Sequence, residues 1–221
     1  MRTIKKVASH IFIDGFGGMT QGLFATLIIG TMIQQIGLLI GGSTGNVIYL
    51  LGKAAAALTS AGIGVGVAVK YGESPLVTVS AAVAAMVGGY AGKITGGTFF
   101  VDGNAVLAGP GEPLGAFIAA FAGITCGHLV SGKTKVDIIV TPVVTIGVGS
   151  VVGLLVGPPI SQMMTGLGSI INWATEQRPF IMGIVVSVVM GMVLTLPISS
   201  AALGIILNLS GLAAGAATIG C

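Results

Sequence analysis

Charged residues are so sparse along this chain that they punctuate it. Between Asp14 and Lys53 lie 38 residues without one, Lys53 and Lys70 bracket 16, and Glu73 and Lys93 bracket 19. An ionised side chain near a bilayer centre costs at least ~2.5 kcal/mol, and about 20 apolar residues cross a ~30 Å hydrocarbon core, so these intervals read as membrane spans. The first covers about 18–41 and ends in a glycine-rich turn over 41–46. The second and third fill the intervals Lys53 to Lys70 and Glu73 to Lys93. Residues 114–130 and 138–156 form the fourth and fifth, and two further apolar runs beyond Arg178 meet near Pro197.

Two stretches carry a different period. Ile4, Val7, Ala8, Ile11 and Phe12 recur at helical spacing with Arg2, Lys5, Lys6 and Ser9 opposite, which predicts an interfacial helix over 1–13. Ile160, Met163, Met164, Leu167, Ile170, Ile171 and Ala174 repeat in the same way. Pro158 and Pro159 are expected to stop the preceding span, Trp173 to sit at the headgroups, and 160–175 to lie parallel to the membrane. The predicted fold is all-α: a single polytopic membrane domain over 1–221 with about seven spans, a re-entrant segment and two interfacial helices.

Composition agrees. Lys and Arg number 9 and Asp and Glu 6, so 7% of residues are charged against roughly 25% in soluble domains. Hydrophobic residues make up 54%, mean hydropathy is +1.06, and there are 38 glycines. A water-soluble globule and a disordered chain are both excluded. The net charge of +3 is scattered over loops, which argues against nucleic-acid binding. With the N-terminus cytoplasmic, the inner side holds Arg2, Lys5, Lys6, Lys70, Lys133 and Lys135 against Lys53, Lys93 and Arg178 outside, as the positive-inside rule prefers. The basic N-terminus precedes no signal-peptide cleavage site. Cys126 and Cys221 fit no zinc spacing, no Ser-His-Asp arrangement is visible, and neither cofactor nor metal is expected.

Function is expected where the bilayer's rules are broken, because irregular backbone at membrane depth survives only when buried in protein or lining a wet cavity. The strongest such place is 93–113, KITGGTFFVDGNAVLAGPGEP, whose glycines and prolines preclude a continuous helix while Phe99, Phe100, Val101, Val106 and Leu107 disfavour a free aqueous loop. It reads as a re-entrant hairpin or a pair of half-helices, with Asp102, Asn104 and Glu112 as acceptors for a polyhydroxylated solute or a cation. An ordinary external loop with solvated carboxylates is the alternative. The DGFGGMTQ stretch at 14–21 is a second expected break, followed by Gln34 and Gln35, whose placement suggests helix–helix hydrogen bonding or solute contact. A third is 196–200 around Pro197. His128, near the end of span four, is a further candidate for solute contact, with His10 behind it. Small residues at helical spacing, such as Gly62 and Gly66, Gly88 and Gly92, and Gly149, Gly153 and Gly157, predict close helix packing or a dimer.

The order TPVVTIGVGSVVGLLVGPPI, then a helix ending in INWATEQ, then PFIMGIVVSVVMGMVLTLPISSAALGI over 141–205, resembles enzyme IIC of the bacterial sugar phosphotransferase system. With SHIFIDGFGGMTQGLFATLIIG and GPGEPLGAF, the chain is similar to the enzyme IIC-like proteins that include perfringolysin regulator-like members. The resemblance implies a homodimeric sugar carrier of the inner (plasma) membrane, working with cytoplasmic phosphocarrier proteins on separate domains. The family's sugar-binding glutamate lies beyond the parallel helix, where this chain has no equivalent, so its role is not transferred to Glu112. The apolar end at Gly220 leads to the expectation of a longer natural protein.

The functional expectation is therefore transport of a small polar, sugar-like solute by alternating access, with Asp102, Asn104 and Glu112 as its principal contacts and His128 and Gln34 behind them. The alternative is a membrane-embedded sensor or regulator that binds a ligand or partner without moving it.

Overall fold

The computed structural model describes residues 10–101, 104–107 and 109–176, with the single positions 184 and 188 beyond them. The predicted N-terminal surface helix falls largely outside these residues, as do the break at 196–200 and, apart from Ile184 and Val188, the last two expected spans. The chain divides into two compact units, 1–158 and 159–221.

Helix α1 (Ile13–Ile40) is 28 residues long. It starts in a π-helical turn over His10–Gly15 and contains a second one over Phe24–Ile28. The interruption expected at DGFGGMTQ is absent. Glycines there serve close approach instead: a Cβ on Gly18 would meet the Gly66 carbonyl oxygen at 2.6 Å and Val67 Cα at 2.7 Å. Thr20, Thr26 and Thr31 donate their hydroxyls to the carbonyls of Phe16, Gly22 and Ile28 on their own helix, so they stay satisfied in lipid.

The turn predicted over 41–46 contracts to two glycines. Gly41 (φ 65°) and Gly42 (φ 64°) reverse the chain through a conformation that side-chain-bearing residues rarely adopt, and Ser43, Thr44 and Asn46 join the next helix. Helices α2 (Gly42–Ala57) and α3 (Thr59–Lys70) form one bent unit, turned by 53° at Leu58. Lys53, expected at a membrane boundary, sits inside α2 with its side chain exposed.

Helix α4 (Pro75–Gly89) is started by Ser74, whose Oγ accepts the Val77 amide at 3.4 Å, and by Pro75 in the first turn. It breaks at Tyr90 and resumes as the short α5 (Ala91–Thr95). In the expected re-entrant segment, 93–113, residues 93–95 close α5, and beyond them β1 (Phe100–Val101) and β2 (Asn104–Ala105) pair antiparallel, Phe100 opposite Ala105. Helix α6 (Pro113–Val130) matches the fourth predicted span almost residue for residue. Helix α7 (Asp137–Glu176) contains the fifth span and the amphipathic stretch in one helical run, with Pro158 and Pro159 inside it rather than at its end. A proline removes only its own amide from the ladder, a loss that membrane helices tolerate.

By length and apolarity, α1, α6 and Asp137–Gly166 of α7 can each cross a membrane, and the bent pair α2–α3 makes a fourth. In the first unit the N-terminal half of α1 packs on α3, its C-terminal half on α2, α3 on α4 and α6, and α4 on α6. Met19, Leu23, Leu27, Ile63, Val67, Val77 and Ile124 are buried in these contacts. On α7, Gly149 would place a Cβ 2.7 Å from the Ala119 carbonyl oxygen, and Gly153 one 2.8 Å from Gly88 Cα. The backbones therefore touch along glycine seams, the packing that replaces the hydrophobic effect inside lipid.

Candidate functional site

Three helix breaks meet at one level of the bundle. Leu58 separates α2 from α3, Tyr90 separates α4 from α5, and Glu112 opens α6. The 12 residues of α3, from this level down to the Lys70 end, measure about 18 Å at 1.5 Å per residue. A hydrocarbon core is ~30 Å thick, so a turn at Lys70 near one membrane face would leave the breaks within the bilayer.

The chain returning from the β-hairpin is held into this node by its backbone. Glu112 donates its amide to the Gly89 carbonyl at 2.6 Å, and Ser60 Oγ donates to the Pro110 carbonyl at 2.9 Å. The Tyr90 hydroxyl faces two acceptors, the Gly109 carbonyl in a short contact and the Ala57 carbonyl at 3.3 Å. Gly109 (φ 80°) and Gly111 (φ 76°) take left-handed backbone to make the turn. A Cβ on Gly111 would also fall 3.1 Å from the Gly89 oxygen and 3.2 Å from the Tyr90 ring. Sequence, conformation and packing thus agree on GPGE here.

Glu112 is the chemical centre of the node. Its Oε1 is shut off from solvent and has no hydrogen-bond partner among the described residues. Around it the node is rich in acceptors. The carbonyls of Ala57, Gly89, Gly109 and Pro110 share three protons, one each from Tyr90, Ser60 and the Glu112 amide, and Glu112 Oε1 receives none from the described residues. An aromatic platform stands alongside: Phe99 lies 5.4 Å from the Tyr90 ring centroid, Phe100 lies 4.9 Å from Phe99, and Lys93 Nζ is 5.3 Å from the Tyr90 centroid.

The other expected site residues are distributed differently. Asn104 is on the exposed β2, and Asp102 lies outside the described residues. Gln34 is on α1 where that helix meets α2; its Nε2 donates to the Gly30 carbonyl at 3.4 Å, and its Cγ would lie 2.9 Å from a Cβ on Gly52. His128 is 16 residues from Glu112 in chain position, about 24 Å along α6, and at its opposite end. There His128 Nδ1 stands 2.9 Å from a Glu73 carboxylate oxygen, with the Glu73 side chain only 9% exposed. Ser74 and Ser131 hydroxyls lie 3.1 Å apart beside this pair. The neighbouring Tyr71 hydroxyl, in the α3–α4 turn, is pushed up to about 12 by burial and, secondarily, by the Asp14 carboxylate. His128 thus ties two turns together and does not join Glu112. Ser60 and Tyr90 were not singled out by sequence. Their signal was weak, a Thr59–Ser60 pair in mid-span and a lone tyrosine just before the glycine-rich segment.

Apolar helices long enough to span, glycine seams and helices broken at a common level define a polytopic α-helical membrane protein. The family model described as Phosphotransferase system, EIIC, matches residues 13–221. The chain belongs to that family and is a sugar-type membrane transport component of the phosphotransferase system. Comparison with curated proteins and with solved structures returns no match.

Proposed function

We propose that this protein carries a small polar, sugar-like solute across the plasma membrane by alternating access, binding it at the node of Glu112, Tyr90 and Ser60. The surplus of acceptor oxygens carries this reading. A polyhydroxylated solute brings hydroxyl protons for Glu112 Oε1, which has no donor among the described residues, and for the Gly109 and Ala57 carbonyls, which share one, and the Tyr90, Phe99 and Phe100 rings offer apolar faces for its C–H surfaces. Asn104, on the β-hairpin, is assigned to the approach to the node, and Gln34 and His128 to helix packing and turn bridging.

The helix breaks suit alternating access because irregular backbone between packed helices is where carriers place their sites. A cytoplasmic N-terminus, a homodimeric assembly and dependence on cytoplasmic phosphocarrier proteins complete the proposal. The test is binding of a panel of hexoses, hexitols and disaccharides to the purified protein, followed by uptake into proteoliposomes. Binding that Glu112→Gln abolishes while the fold persists supports the site. Binding without uptake, in the presence of the phosphocarriers, identifies a sensor instead of a carrier, and unaltered binding in Glu112→Gln removes Glu112 from the site.

A further inference from the structure

Helix α1 runs antiparallel to the bent pair α2–α3, and close backbone contacts fix the register. A Cβ on Gly18 would meet Gly66 and Val67, one on Gly22 would meet Gly62 and Ile63, one on Gly30 would lie 2.8 Å from the Ala56 amide, and one on Gly37 2.7 Å from the Gly45 carbonyl oxygen. That register sets Leu58, where the pair bends by 53°, opposite Thr26 in the middle of the π-helical turn Phe24–Ile28. Both partners therefore leave α-helical geometry at one level.

The π turn has a geometric reason. Gly22 and Gly30 are 8 residues apart, which in an unbroken α-helix would turn them about 80° from each other, whereas a π turn absorbs one residue and leaves about 20°. Gly18, Gly22, Gly30 and Gly37 thus share one face, the first two against α3 and the last two against α2. Beside the two breaks, Thr26 donates its hydroxyl to the Gly22 carbonyl at 2.7 Å and Thr59 to the Ala56 carbonyl at 2.6 Å, so these carbonyls have a donor that does not depend on the helical ladder. A π turn and a helix break are also where helices bend.

The two sides of this level differ. Below it, α1 up to Leu23 packs with α3, α4 and α6 around buried Met19, Leu23, Ile63, Val67 and Val77. Above it, 29–40 and α2 pack chiefly on each other and bury only Gly30, Gly37, Gly45, Gly52 and Ala56. Leu39 is 86% exposed, and Met32, Ile36, Val47 and Leu51 are exposed with it. Beyond the hinge level, the hydrogen bond that ties this hairpin to the rest is the Tyr90 hydroxyl on the Ala57 carbonyl, at 3.3 Å.

We propose that residues 29–57 swing as a rigid arm about a paired hinge at Phe24–Ile28 and Leu58, with the Tyr90–Ala57 hydrogen bond as the latch. The inference touches the node through Tyr90 but requires no solute there.

The test uses the full-length protein in lipid nanodiscs without solute, with Cys126 and Cys221 replaced by alanine and spin-labelled molecules diluted among unlabelled ones. One nitroxide pair joins arm to body, Leu39→Cys with Val79→Cys, and the other lies within the body, Ile13→Cys with Val79→Cys; all three positions are exposed. Helix α2, of 16 residues, is about 24 Å long, so a swing of about 15° carries its tip roughly 6 Å. The arm pair is expected to give a distance distribution broader than the body pair by about that amount, and Tyr90→Phe to move its weight away from the latched distance. An arm pair as narrow as the body pair, in wild type and Tyr90→Phe alike, overturns the proposal, and so does equal broadening of both pairs. A broad arm pair that Tyr90→Phe leaves unchanged supports the hinge and overturns the latch. Deleting the exposed Ala25 removes the extra residue of the π turn and should narrow the arm pair, whereas full width in a folded deletion variant removes that turn from the hinge. Solute titrations on the same preparations separate the two readings: absent solute binding with a moving arm sinks only the carrier site, and binding with a static arm sinks only the hinge.

Discussion

Replacing Gly18 by alanine puts one methyl group into a backbone-to-backbone contact between α1 and α3. That methyl carbon would lie 2.6 Å from the Gly66 oxygen and 2.7 Å from Val67 Cα. Optimal heavy-atom contact is about 3.5 Å or more, so the helices must part by roughly 0.9 Å, and both neighbours are backbone and cannot rotate away. A gap of that size forfeits a quarter to a half of the attraction along the seam, and overpacking of this kind costs about 1–3 kcal/mol even though alanine gains about 1 kcal/mol of helix propensity over glycine. At about 2–4 °C per kcal/mol for a protein of this size, the midpoint of thermal unfolding in detergent should fall by roughly 2–12 °C. Gly147 is the control. It lies inside α7 with nothing within 4 Å of its Cβ position, so Gly147→Ala should be neutral or raise the midpoint slightly. If Gly18→Ala is as stable as Gly147→Ala, backbone contact is not what holds α1 to α3.

Other outcomes follow from the node and the far end of α6. Tyr90→Phe leaves the Gly109 and Ala57 carbonyls without their hydroxyl donor and should cost about 1–3 kcal/mol by thermal unfolding, with weakened solute binding by titration. Gly111→Ala combines a φ of 76° with a Cβ that overlaps Ser60 Oγ and lies 3.1 Å from the Gly89 oxygen, and should abolish solute binding at a larger stability loss than Ser60→Ala, which removes one hydrogen bond worth about 1 kcal/mol. His128→Ala should leave solute affinity within about twofold, because some 24 Å of helix separates it from Glu112. Its stability cost should stay below about 1 kcal/mol, since the His128 side chain is 70% exposed. A tenfold loss of affinity in that variant would place His128 back at the site.

Charge spacing located α6 well because Glu112 and Lys133 stand just outside its ends. The same logic misplaced the start of the second span. Charge spacing makes Lys53 a boundary, yet a lysine can lie along a helix and carry its ammonium outward on a flexible apolar stem, and its exposed position in α2 fits that. Glycine was the other ambiguous letter. At Gly41, Gly42, Gly109 and Gly111 it turns the chain, whereas at Gly18 and Gly22 it lets helices touch, and local sequence does not separate the uses. The seams anticipated at Gly62 with Gly66 and along Gly149, Gly153 and Gly157 are present, because three- and four-residue spacing is a geometric fact of the helix. The importance of 93–113 was legible from its composition. Its β-hairpin, and the Ser60 and Tyr90 contacts that anchor it, were not, because they join residues 50 and 19 positions apart along the chain.

That separation sets an order of assembly. A single reversal at Gly41 and Gly42 lets α1 and α2 zip together as soon as both have left the ribosome, with little loop to close. Ser60, by contrast, must wait for Pro110 to be synthesised, and until then the Leu58 bend has only the Tyr90 hydroxyl on the Ala57 carbonyl to hold it. Nascent chains arrested before residue 110 should therefore contain a folded first hairpin with a loose second half, and the last event in building this part of the molecule is the closing of its polar centre.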